Sequence, residues 1–149
     1  MNSRTTLCLR HRRALEMDPE RATQCWHQAI HCARYEVNAK QWERAKNRYF
    51  HAIEVAEILL FTDNNPNRSE ARMLQTCTEY AYLLHSMTLP TCGLAKYARA
   101  CFSNSDKPDS IKKLTNALQD IALSSPNQCE HWLTGIAQSH FLPISNQLH

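Results

Sequence analysis

Trp42-Glu43-Arg44-Ala45-Lys46-Asn47-Arg48-Tyr49-Phe50-His51-Ala52-Ile53-Glu54-Val55-Ala56 sorts its side chains by a helical period. Trp42, Ala45, Tyr49, Ala52, Ile53 and Ala56, continued by Leu60, fall on one face. Arg44, Lys46, Arg48, Glu54 and Glu57 fall on the other, which is expected to be solvated. The alternation that marks a strand is absent. Alanines at these positions let another helix approach closely, and the aromatic ring fills the space beside them.

Working outward, the neighbouring segments have the same character. Asp18-Pro19 opens a preceding helix, because Asp can cap and Pro suits the first helical position. Ala22, Cys25, Trp26, Ala29, Cys32 and Ala33 make its apolar, small-residue face, and Ala39-Lys40-Gln41 breaks it. After the central helix, residues 62–67 are a loop dense in turn formers. A third helix is expected from a cap at Ser69 to Met87, with Met73, Leu74, Cys77, Tyr80, Ala81 and Leu84 as its stripe. Leu94, Tyr97, Ala98, Cys101 and Phe102 mark a short fourth. A fifth, capped by Asp106 or Ser105, carries Ile111, Leu114, Leu118 and Ile121. Ser125-Pro126 starts the last, with Cys129, Trp132, Leu133, Ile136 and His140 inward and Pro143 as its end. These segments make an all-α chain of about six helices in antiparallel hairpins, as a superhelix or a compact helical bundle. One domain over residues 17–142 is expected, with a frayed tail over 143–149.

Residues 26–56 resemble a tetratricopeptide repeat. Ala45-x3-Tyr49-x2-Ala52-Ile53 reproduces the small-x3-aromatic-x2-Ala-Leu/Ile pattern of the second helix, with Trp42 just before it, and Cys32-Ala33 stands where the first helix has Leu-Gly. Glu36 replaces the tyrosine, the closing proline is missing, and Ala98-x3-Phe102 is only a faint echo. The chain is similar to small bacterial tetratricopeptide-like proteins, and the resemblance implies a non-catalytic adaptor, chaperone or regulator. It implies that first-helix residues line a concave groove for a protein or peptide, here His27, Ile30, Arg34, Val37 and Asn38. Arg34 and Asn38 would hold a carboxylate or a backbone.

Composition excludes several other classes. Two glycines, Gly93 and Gly135, cannot supply a dinucleotide fingerprint or a phosphate loop. No apolar run is long enough to span a membrane. Seven cysteines are an odd number, and most sit at helical apolar positions, so reduced thiols in a cytoplasm are expected. No arrangement suggests an activated nucleophile, an acid-base pair or a cofactor. His27 and His31, four residues apart, could share a metal, but the zinc-protease motif is missing and no metal is assigned. Cys129-x-His131 is a weaker pair.

The formal net charge of +3 belongs to residues 1–16, where Arg4, Arg10, Arg12 and Arg13 face Glu16 alone. That segment is expected to be a flexible basic arm outside the core, or an upstream extension before a start at Met17. Its arginines also allow a mitochondrial-type presequence. The alternative function is nucleic-acid association through Arg10, Arg12, Arg13, Arg44 and Arg48. It is disfavoured because the rest of the chain is neutral.

Overall fold

A polar cap followed by proline opens three of the helices, since the first backbone N–H groups of a helix have no internal partner and proline has none to lose. The computed structural model describes residues 7–147, with side chains as far as Ser139. Among them are seven helices and no strand: α1 (Leu9–Glu16), α2 (Pro19–Asn38), α3 (Trp42–Thr62), α4 (Pro66–Ser86), α5 (Cys92–Asn104), α6 (Pro108–Ala122) and α7 (Pro126–Gln147). Asp18 accepts from the Arg21 N–H at 3.2 Å, Asn65 from Arg68 at 3.2 Å and Ser125 from Gln128 at 3.1 Å.

Three boundaries differ from expectation. α4 begins at Pro66, not near Ser69, because Asn65-Pro66 repeats the cap-proline device of Asp18-Pro19. Ser69 is buried in the first turn, its hydroxyl donating to the Asn65 and Pro66 carbonyls. α6 is entered through Lys107, since Ser105 and Asp106 are occupied in closing α5. α7 continues through Pro143 to Gln147; a proline removes one backbone bond and bends a helix without having to end it. The His140 side chain, Arg4 and residues 148–149 lie outside the described residues.

The scarcity of glycine has a structural counterpart. Three helices close with a left-handed residue that is not glycine: Lys40 (φ 56°), Thr88 (φ 57°) and Asp106 (φ 59°). Each closure has paired bonds, such as Thr88 N–H to His85 O at 3.0 Å and Leu89 N–H to Leu84 O at 2.8 Å. A β-branched residue is the least suited to this conformation. Thr88→Gly is therefore expected to stabilise by about 0.5–1 kcal/mol, checked by denaturant unfolding.

α2 and α3 form the expected hairpin, and α3 stacks on α4. Ala45, Tyr49, Ala52 and Ile53 are all buried at that crossing. Beyond α4 the stacking is no longer uniform. α6 and α7 both pack on α4, and α7 also returns to α2. α3 and α4 are thus enclosed on more than one side. This explains why Glu54, placed on a solvated face by its period, is 3% exposed, and why α4 buries Arg72, Thr76 and Glu79 beside its apolar stripe. Trp132 moves the other way and is 37% exposed, while Cys129, Leu133 and Ala137 carry the contact of α7.

The segment expected as a flexible arm is helical over Leu9–Glu16, and α1 packs on α2 and α3. Leu15 is buried, Leu7 leans on the same core, and Leu9 is exposed. Arg12 reaches Glu57 on α3 at 3.0 Å. Leu15→Ala is expected to cost about 2–5 kcal/mol, and Leu9→Ala within about 0.5 kcal/mol. A chain begun at Met17 should melt well below the full chain, and equal midpoints would show that α1 does not contribute.

Candidate functional site

The candidate residues of α2 are of two kinds. Trp26, Ile30, Ala33, Arg34 and Val37 are buried, whereas His27, His31 and Asn38 are exposed. Arg34 forms a two-pronged pair with the buried Glu79, Nε to Oε1 at 3.0 Å and Nη2 to Oε2 at 2.6 Å. The Tyr49 hydroxyl donates to Oε1 at 2.8 Å, and Gln75 Nε2 donates to Oε2 at 3.2 Å. One carboxylate on α4 therefore joins α2 and α3, and a buried charge is tolerated because it is paired and fully hydrogen-bonded. Burial first, then the charge of Glu79, holds the Tyr49 phenol well above its ordinary range, so it remains a donor.

A second network lies about two turns towards the N-terminus of α2, at Trp26. Trp26 Nε1 donates to Thr76 Oγ1 at 3.0 Å, and that hydroxyl donates to the Arg72 carbonyl at 2.7 Å. The Arg72 guanidinium sits 5.7 Å from the Trp26 ring centre and donates to Asp63 at 2.9 Å. Arg68 adds two bonds to the same carboxylate, at 3.2 and 3.0 Å. Arg68 first, then the Asn65 N–H and Arg72, hold Asp63 below the usual carboxylate range against the opposing effect of burial. A depressed pKa makes the contribution of Asp63 to stability complete above about pH 4 and lost as pH falls through the lowered value. Asp63→Asn is expected to flatten this acid limb, measured as Tm against pH.

Between the networks lies a depression of about 510 Å³. Trp26, Ile30 and Arg34 are its buried floor, and His27, Gln28, His31 and Gln75 its exposed rim. Burial, then the charges of Arg72 and Arg34, keep the His27 imidazole below its ordinary pKa, so it is neutral at pH 7.

The expected groove is thus only partly present. The structure brings His27, Ile30 and Arg34 to one depression, but Val37 is 1% exposed and does not line it. Asn38 is exposed at the last turn of α2, away from the lining. Arg34 is committed to Glu79 and cannot also hold a free carboxylate. The physical reason is enclosure: α7 packs on α2 and α4, the two helices whose faces would form an open groove.

The basic residues do not join into one surface. Arg10 and Arg13 are exposed on α1, while Arg12 is taken up by Glu57 and Glu16. Arg44 and Arg48 are exposed on α3 beside a depression that also contains Glu36, Asn47 and His51. Nine residues of helix, about 13 Å, separate Arg48 from the Glu57 that anchors α1. Among the described residues no group of three or more His, Cys, Asp or Glu is placed to hold a metal.

Glu57, expected on a solvated face, accepts from the Tyr97 hydroxyl at 2.6 Å and from Cys101 Sγ at 3.5 Å. Burial and then Glu57 push the Cys101 thiol up to about 12, so it is not a nucleophile at neutral pH. Glu79, Arg72, Asp63 and Gln75, which organise the site, were not singled out by the sequence. No helix of the described residues is long and apolar enough to cross a membrane. Compared with protein-family models, curated proteins and solved structures, the chain has no significant match.

Proposed function

We propose that this is a non-catalytic, tetratricopeptide-like binding protein of the cytoplasm that holds another protein or a peptide over the α2/α4 face. The observation that carries the reading is the depression whose exposed rim of His27, Gln28, His31 and Gln75 stands over a floor fixed by the Arg34–Glu79 pair. A floor held by a buried ion pair with exposed polar groups around it suits recognition of a backbone or of side-chain amides and carboxylates. The rim rather than Arg34 makes the direct contacts in this reading.

The test is site-specific photo-crosslinking in the native host. A crosslinker at position 31 should capture one stoichiometric partner, and the same group at the exposed Lys112 on α6 should not. His27→Ala/His31→Ala should lower recovery of that partner at an unchanged Tm. Equal capture from both positions would overturn the reading. Retention on nucleic acid that is lost in Arg10→Glu/Arg13→Glu would put nucleic-acid association in its place.

A further inference from the structure

The outer edge formed by α1, α2 and α3 carries chemistry that partner binding does not use. Cys25 Sγ lies 3.8 Å from His51 Nε2, joining α2 to α3, and both residues are half-buried. Among the described residues no other cysteine sulfur contacts an imidazole; Cys101 meets Glu57 and Cys77 meets Met73. Cys77, Cys101 and Cys129 are buried, Cys32 is half-buried like Cys25, and Cys8 and Cys92 are exposed.

Cys25 also opens onto a depression of about 370 Å³ between α1 and α2. Leu7, Ala14 and Leu15 supply an apolar wall. Arg21 and His11 supply cationic or donor groups, and Gln24 and Gln28 supply amides. A thiol reached through such a space is matched to a small molecule with an apolar linkage at its centre and carboxylates and amides at its ends. We propose that Cys25 is a thiol–disulfide exchange site for low-molecular-weight, carboxylate-bearing disulfides, with His51 as its base.

The Cys25 thiol gives its proton to His51 Nε2 as Sγ attacks one sulfur of the disulfide. A new Sγ–S bond forms, the old S–S bond breaks, the departing thiolate takes a proton from water, and the imidazolium loses its proton to water. Cys25 is oxidised to a mixed disulfide and half of the reagent is reduced to a free thiol.

The surroundings fix the protonation states. Burial raises the Cys25 thiol, opposed by Arg21. Burial lowers the His51 imidazole, with Glu54 opposing and Arg48 adding to the lowering. His11 on α1 lines the depression with Cys25, and Glu36 and Arg44 line the neighbouring one with His51. At neutral pH the pair is therefore a thiol beside a neutral imidazole, which calls for a base during attack rather than a preformed thiolate.

The experiment treats the full chain with oxidised glutathione, follows intact mass and locates the adduct by peptide mapping. Cys25 should react at least about ten-fold faster than the more exposed Cys8 and Cys92 at pH 7. Its rate should level off above about pH 6.5, where the imidazole is neutral, and stay level to about pH 8. His51→Gln should slow it about ten-fold or more at pH 7 and restore the continuous rise with pH of a simple thiolate. Arg21→Gln, an exposed position that folding should tolerate, should slow glutathione disulfide more than the uncharged 2-hydroxyethyl disulfide. Cys25 reacting no faster than Cys8 and Cys92 would overturn the site. An unchanged pH profile in His51→Gln would overturn the base, and equal effects of Arg21→Gln on both reagents would overturn the ligand class.

Discussion

Glu79→Ala is expected to lower stability by about 3–5 kcal/mol, because it strands a buried guanidinium. Arg34 is 6% exposed and its counter-charge is Glu79, which takes both of its prongs. The same substitution removes the acceptor of the Tyr49 hydroxyl and of the Gln75 amide. Tyr49 is 0% exposed, so water cannot replace the lost bond without rearrangement of the core. At roughly 3 °C per kcal/mol for a chain of this size, the melting midpoint should fall by about 10–15 °C. The double variant Arg34→Met/Glu79→Leu should recover most of that loss, since replacing both members of a buried pair with apolar residues is often neutral. Denaturant unfolding of both single variants and the double variant gives the coupling directly. A cost below about 1 kcal/mol for Glu79→Ala would mean that the pair is not desolvated as the structure has it.

This network shows where the sequence is transparent and where it is not. Helix ends were legible where one residue type does one job, as at Asp18-Pro19 and Ser125-Pro126. The buried face of α3 was legible for a related reason. Ala45, Tyr49, Ala52 and Ile53 lie on one narrow face, and one period describes them. Glu57 and Glu79 were opaque because a period identifies one buried stripe and is silent about a second. α3 and α4 are each packed by several helices, so positions off the stripe are buried too. A charged residue at such a position needs a partner, and for Glu79 and Glu57 it arrives from a distant part of the chain. Arg34 is 45 residues before Glu79, and Arg12 is 45 before Glu57. No local pattern joins residues so far apart. The groove was misread for the same reason: Val37 is a groove residue in an open repeat and a core residue once α7 lies on α2 and α4.

Phe102→Ala is expected to cost about 3–5 kcal/mol, while Trp132→Ala, the larger truncation, should cost only about 0.5–1.5 kcal/mol. Both are aromatic residues at inward positions of the sequence pattern. Phe102 lies in α5 and is 0% exposed, so its removal leaves a cavity that the surrounding helices cannot collapse around without strain. Trp132 rests on Tyr82, with ring centres 5.7 Å apart and a tilt of 55°, and keeps more than a third of its surface in water. The distinction follows from how α7 is seated. Cys129, Leu133 and Ala137 are spaced by four residues and are all 0% exposed. That row of a small thiol, a leucine and a methyl lets α7 approach α4 closely, and Trp132, one position off the row, is turned to its edge. Tm and denaturant midpoints of the two variants separate the possibilities. Equal costs would mean that α7 presents the tryptophan face to α4. The α2/α4 face would then be covered differently, and its rim would no longer be the exposed surface that partner binding requires.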